Sequence, residues 1–193
     1  MSLLFLRIFI VFIPVIKGNA SKDIEWEQTF GEINLCERGI MVQQTDDEGY
    51  IILGNKIYLL EEGMYLSDIW AIKTDSNGNE EWNTIFKRFE TEGVYSTEGK
   101  YIDQTNDGGY IIIGETERQA FTYEEALQYS PGIWLIKIDS EGNQEWNQTF
   151  STTRFKYGQQ TSDGGYFLIG LKGFWEHERV LSLQDFCTFL NPP

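Results

Sequence analysis

Apolar and polar positions along this chain fall into short runs that return at wide, nearly regular spacing. Ile51-Ile52-Leu53, Ile111-Ile112-Ile113 and Phe167-Leu168-Ile169 are each preceded by a Tyr or Gly-Tyr and closed by Gly54, Gly114 or Gly170. Apolar residues at successive positions, four to eight long and bounded by glycine, predict strands buried on both faces. Two further runs, Ile69-Trp70-Ala71-Ile72 and Ile133-Trp134-Leu135-Ile136, end in Lys73 and Lys137. Each leads through Asp75-Ser76-Asn77-Gly78 or Asp139-Ser140-Glu141-Gly142 into an alternating segment, Glu81 to Phe86 or Glu145 to Phe150. That order of strand, Asp/Asn/Gly turn and strand is a hairpin.

The runs belong to an internal repeat. Gln44 to Gly54, Gln104 to Gly114 and Gln160 to Gly170 share one eleven-residue phrase, spaced 60 and then 56 residues apart. Each repeat offers four strands, and that period suits four-stranded propeller blades or a β-solenoid. Burial on both faces favours stacked blades. The chain should be all-β, a partial propeller of four-stranded antiparallel blades at about 38–86 and 99–150, with a half blade at 155–172. Ile24 to Phe30, which carries the fourth-strand pattern, is expected to be a lone fourth strand, and Gly173 to Pro193 a divergent tail without a third strand. Fewer than three blades make no ring, so a truncated or frame-shifted product, or completion by another chain, is expected. Open strand edges favour self-association.

Three phrase copies also fix an expectation about the turn. Gly49, Gly109 and Gly165 recur, whereas Glu48 replaces Gly108 and Gly164. The invariant glycine is therefore expected to take the left-handed conformation, with Asp46, Asn106 and Ser162 opening the turn.

Residues 1–20 form a separate segment: an apolar run from Leu3 to Ile16, broken by Arg7 and Pro14, followed by Gly18-Asn19-Ala20. The run is short for a bilayer span and ends in small residues, as an export signal cut near Ala20 would. An uncleaved membrane anchor and a buried first strand are the alternatives. A secreted or cell-surface protein is expected. Taking Arg7 and Lys17 from the 15 basic residues leaves 13 against 30 acidic ones, a formal charge of −17 that disfavours nucleic acid and anionic lipid. Cys36 and Cys187 fit either one disulfide or two unrelated thiols.

Written as Gln-Thr-x-Asp-Gly-Gly-Tyr-Ile-x-x-Gly followed by Ile-Trp-Leu-Ile-Lys-x-Asp-x-x-Gly-Asn-x-x-Trp, residues 24 to 172 resemble a family of secreted bacterial and archaeal β-propeller repeats. The segments Asp75 to Trp82 and Asp139 to Trp146 are also distantly similar to pyrroloquinoline-quinone-type propeller repeats. The resemblance implies a fold, export and often a multidomain parent, and no single activity.

Candidate chemistry is sparse. The turn acids Asp47, Asp107, Asp163, Asp75 and Asp139 fit Ca²⁺ ligation or self-bonded turns, and the missing glycine and distal glutamate of a calcium loop favour turns. Trp26, Trp82, Trp146, Trp70 and Trp134 recur with the repeat and are expected to pack between blades; a sugar platform is the alternative. The sole histidine, His177, stands in the tail, so no catalytic triad or multi-histidine metal site is legible. No metal, cofactor or catalytic set is assigned. Asn147 heads a glycosylation triplet inside a strand.

Variable connections are the better place for function. Asn55 to Asp68 carries Tyr58, Glu61, Glu62 and Tyr65, and Glu115 to Gly132 carries Phe121, Tyr123, Glu124, Glu125 and Tyr129. These nine are the ligand-face candidates for a protein or glycan partner. The function expected is a non-catalytic binding or surface-display module. A polysaccharide-acting enzyme fragment and a gene remnant without function are the alternatives.

Overall fold

The computed structural model describes residues 8–12, 26–31, 36–59, 65–87, 95–118, 132–151, 154–176 and 179–190. Among them the chain is all-β and every strand pairing is antiparallel. The first sheet contains β3 (Cys36–Gln44), β4 (Tyr50–Leu59), β5 (Tyr65–Thr74) and β6 (Glu80–Phe86) in the order β3-β4-β5-β6. The second contains β7 (Tyr95–Gln104), β8 (Tyr110–Arg118), β9 (Gly132–Ile138) and β10 (Gln144–Ser151) in the same meander order. Both are complete blades, and no ring closes among the described residues.

Two places differ from the sequence expectation. β2 (Trp26–Phe30) is not alone, because β1 (Ile8–Phe12) lies beside it in a two-stranded sheet. The uninterrupted β-branched and aromatic residues of Ile8-Phe9-Ile10-Val11-Phe12 supply a strand at that edge. The third sheet also exceeds the expected half blade. β11 (Arg154–Gln160) and β12 (Tyr166–Glu176) are joined by β13 (Arg179–Leu190) in the order β11-β12-β13. Residues 179–190 lack the Ile-Trp-x-Ile-Lys signature but are rich in Val, Leu and Phe, enough for a strand.

In the two complete sheets, alternation across each middle strand puts one face on the sheet before and the other on the sheet after. Ile52, Trp70 and Ile72 pack with Phe30 of β2. Ile51, Leu53, Ile69 and Ala71 meet Ile102, Tyr110, Ile112, Trp134 and Ile136 of the second sheet. Ile111, Ile113, Ile133 and Leu135 then meet Tyr166 and Leu168 of the third. The core is therefore a series of sheet-to-sheet layers, and this is why the middle strands are apolar at consecutive positions.

The turn after the first strand corrects the expected frame by one residue. Glu48 N donates to Thr45 O at 2.9 Å and Thr45 N to Gly49 O at 3.0 Å, so Thr45 opens the turn. Positive φ falls on Glu48 (67°), Gly108 (84°) and Gly164 (88°), the variable position, not on the invariant glycine. Gly49 and Gly109 are required for another reason. A Cβ at Gly49 would run into the Thr74 carbonyl oxygen and lie 2.6 Å from Lys73 Nζ, and one at Gly109 would meet the Ile138 carbonyl oxygen and lie 2.5 Å from Lys137 Nζ. The glycine is a seat for a neighbouring strand and its ammonium group.

Candidate functional site

Each complete sheet has two ends, one holding both turns and the other holding the β4–β5 or β8–β9 connection. At the turn end, Lys73 is 3% exposed and its Nζ lies 2.8 Å from Asp47 Oδ2, 2.8 Å from Glu81 Oε2 and 2.9 Å from the Thr74 carbonyl oxygen. Lys137 repeats the arrangement with Asp107 at 3.1 Å, Glu145 at 3.0 Å and Ile138 O at 2.9 Å. One turn aspartate, one strand lysine and one fourth-strand glutamate thus tie three strands of a sheet into a corner.

The electrostatics follow from that geometry. Burial opposes ionisation of Asp47, but hydrogen bonds from Lys73, the Thr45 hydroxyl and Gly49 N outweigh it and hold the carboxyl down at about 2. Desolvation would lower Lys73, and the bonds to Asp47 and Glu81 reverse that and raise it. Asp107 is likewise lowered: burial acts upward, and Thr105, Gly109 and Lys137 prevail. Asp75 accepts from Asn77 N at 2.8 Å, Asn79 N at 2.9 Å and Asn79 Nδ2 at 2.8 Å, and Asp139 is bonded in the same way to Glu141 and Asn143. The turn acids are engaged with their own backbone, which matches the structural reading of them.

Neighbouring corners are linked through glutamine and tryptophan. Asp46 N donates to Gln104 Oε1 at 2.9 Å, and Asn106 N donates to Gln160 Oε1 at 3.0 Å. Trp26, Trp82 and Trp146 stand edge-on to Tyr50, Tyr110 and Tyr166 of the following sheet, with centroids 5.5, 6.0 and 5.7 Å apart. Trp70 and Trp134 are buried at 3% exposure, so all five repeated tryptophans lie between sheets. Between the first two corners lies a crevice of about 750 Å³ that includes Asp46, Glu81, Trp82, Asn106, Tyr110 and Glu141. Its counterpart one repeat earlier, about 560 Å³, includes Trp26, Gln44, Glu48, Tyr50 and Asn77.

The opposite end holds the sequence-derived candidates that fall within the described residues, and there the strands run further than expected. β4 continues to Leu59 and β5 begins at Tyr65, so Asn55, Lys56, Ser67 and Asp68 belong to paired strands, not to a loop. Asn55 Nδ2 donates to Thr97 O at 3.0 Å and Ser67 N donates to Ser96 Oγ at 3.0 Å. Polar residues that resemble a loop in sequence are used to join two sheets. Glu115 behaves alike: it pairs with Lys100 at 3.2 Å and accepts from Phe155 N at 2.7 Å, bridging the second sheet to the third.

At the tip of the β4–β5 hairpin, Leu59 and Tyr65 face each other across the pair at 64% and 63% exposure. Beside them the Lys87 ammonium lies 5.4 Å from the Tyr58 ring centroid and 3.5 Å from Asp68 Oδ2. Burial raises Asp68 against the pull of Lys87 and Tyr58. Tyr58 and Tyr65 therefore share one hairpin. Glu61, Glu62, Phe121, Tyr123, Glu124, Glu125 and Tyr129 lie outside the described residues.

Lys73, Lys137, Glu81 and Glu145 form a set that only the structure brings together. Its sequence signal is the lysine that closes each Ile-Trp-x-Ile strand and the glutamate that precedes each paired Trp in the two complete repeats. No protein-family model matches the chain, and no curated protein matches it significantly.

Proposed function

We propose that the chain is an exported, non-catalytic β-propeller-type binding module of the secreted repeat family it resembles, with the β4–β5 hairpin tip as part of its ligand face. The observation that carries this reading is the exposed pair Leu59 and Tyr65. In a fold that buries its apolar side chains between sheets, two large apolar groups held outward at one hairpin tip, next to the Tyr58–Lys87–Asp68 group, suit a contact surface. Aromatic faces beside a cation and a carboxylate fit a glycan or a protein segment with polar and apolar parts.

The corner acids and lysines support a scaffold role, since each is bonded within its own repeat. Binding of the full chain to an oligosaccharide array and to extracellular proteins tests the proposal, comparing wild type with Leu59→Ser/Tyr65→Ala. Loss of binding with an unchanged β-sheet circular dichroism spectrum is expected. Undiminished binding by the double variant would remove the hairpin tip from the ligand face.

A further inference from the structure

The short sheet at the start of the chain reproduces, residue for residue, a pairing found inside the complete blades. In the first sheet the third and fourth strands pair as Ile69↔Phe86, Trp70↔Ile85, Ala71↔Thr84, Ile72↔Asn83 and Lys73↔Trp82. The second sheet repeats this from Ile133↔Phe150 to Lys137↔Trp146. β1 meets β2 as Ile8↔Phe30, Phe9↔Thr29, Ile10↔Gln28, Val11↔Glu27 and Phe12↔Trp26. Since Trp26 and Phe30 correspond to Trp82 and Phe86, β1 occupies the register of a third strand beside a true fourth strand.

At the other end of the stack the reverse holds. β13 pairs with β12 as Leu171↔Asp185, Gly170↔Phe186, Ile169↔Cys187, Leu168↔Thr188 and Phe167↔Phe189. Those are the positions at which β5 pairs with β4 through Ile69 to Lys73. β13 is therefore a third strand by register, and among the described residues no fourth strand lies beside it in the order β11-β12-β13. Among the described residues, one end of the stack holds a fourth strand with a substitute neighbour, and the other holds a third strand with an open edge.

We propose that β1 is a removable stand-in, and that β13 of a second copy of this chain takes its place on β2, joining copies head to tail. Among the described residues the first and second sheets stand between β2 and the third sheet, and β13 pairs with β12 and not with β2 of its own chain. A second copy satisfies both the edge and the face. Phe167 and Ile169 alternate with Tyr166 and Leu168, which face the second sheet. They occupy the positions of Ile51 and Leu53 and of Ile111 and Ile113, which are buried against the next sheet in line.

The docking face is thus the next member of an interface series already formed twice within the chain. Trp26 of the incoming copy is already set against its own Tyr50, as Trp82 is against Tyr110. Adding a strand to an exposed edge supplies main-chain hydrogen bonds, and the alternating side chains set the register. A chain cut near Ala20 loses β1 and presents β2 bare, which couples assembly to removal of that segment.

The register predicts that Gln28 of one copy comes opposite Cys187 of the other, as Thr84 comes opposite Ala71. Full-length chains carrying Gln28→Cys, Cys36→Ser and Cys187→Ser are mixed under mild oxidation with chains carrying Cys36→Ser alone. The mixed disulfide is expected to form at least about ten-fold faster than with Glu27→Cys in place of Gln28→Cys, because only directly opposed positions approach disulfide geometry. Adding Ile10→Pro, which disrupts β1, is expected to accelerate it further. If Ile10→Pro unfolds the chain, the contrast between Gln28→Cys and Glu27→Cys with β1 intact decides alone. Equal rates for those two variants, or no mixed species, would overturn the proposal. The inference rests on the stacked sheets and not on the hairpin-tip ligand, so array binding and cross-linking can fail independently.

Discussion

The first two sheets and the third begin with nearly the same phrase and are held at the corner differently. In the complete sheets the turn aspartate meets a buried lysine, Lys73 or Lys137, which stands opposite Ile51 or Ile111 in register. In the third sheet the corresponding register position, opposite Phe167, is Phe189. Asp163 is lowered by the Thr161 hydroxyl and Gly165 N, and no lysine contributes among the described residues. The phrase Gln-Thr-x-Asp-x-Gly-Tyr thus folds its own turn, as Thr161 N to Gly165 O at 2.8 Å and Gly164 N to Thr161 O at 2.9 Å show. The lysine does something else: it binds that turn to the second hairpin. Turn formation is local, and corner closure needs a third strand of the right sequence.

The largest expected effect comes from filling the space the lysine uses. Gly49→Ala or Gly109→Ala should cost about 3 kcal/mol, because a Cβ there collides with a backbone carbonyl and the ammonium group together. Gly108→Ala meets no atom within 4 Å, so only its left-handed φ is penalised, by about 1 kcal/mol. Urea denaturation of the three variants separates these cases. Equal losses at Gly108 and Gly109 would break the distinction between turn and seat.

Removing the lysine itself ranks next. Losing one partner of a buried ion pair costs about 3–5 kcal/mol, but Asp47 and Glu81 are 58% and 46% exposed and can hydrate. Lys73→Met is therefore expected to destabilise by about 2 kcal/mol in the same assay. A change in the opposite direction is expected at Glu48, the described non-glycine residue with positive φ. Glu48→Gly should stabilise by about 0.5–1 kcal/mol, since relief of left-handed strain exceeds the entropy glycine adds to the unfolded chain.

The smallest effect is in pH. A carboxyl held at about 2 against an ordinary 3.8 contributes stability that is present above pH 3.8 and lost as pH falls through about 2. Asp107, lowered in the same corner environment, acts in the same direction. Acid titration of the fold should show a loss in that window, and Lys73→Met should reduce its size.

How much of this was readable in the sequence divides along the same line as the two kinds of corner. Consecutive apolar positions such as Ile51-Ile52-Leu53 identify strands covered on both faces, and recurrence gives the blade order, because burial and period are local signals. The turn register is not legible locally, because invariance at Gly49 looks like a need for positive φ, which instead falls on Glu48. The need for glycine at that position arises from Lys73, 24 positions away, whose approach no local pattern records. Asn55, Ser67 and Glu115 resemble connection residues in sequence because polar residues end strands more often than they bridge sheets, and their partners Thr97, Ser96 and Phe155 belong to other strands. The pairing of β1 with β2 was hidden in the same way, because an apolar leader and an apolar strand share one composition. Of the candidate site, the sequence indicated the Tyr58–Tyr65 hairpin, while the exposed Leu59 beside it emerges only from the register.

The corner account turns on the aspartate–lysine contact, and the most direct measurement is the carboxyl titration of Asp47 by carbon-detected NMR in wild type and Lys73→Met, with Asp163 followed in the same spectra. The account predicts a midpoint at about 2 for Asp47 in wild type, a clear rise toward 3.8 in the variant, and no movement of Asp163. An Asp47 midpoint at the ordinary value in wild type, or one that Lys73→Met leaves in place, would contradict it.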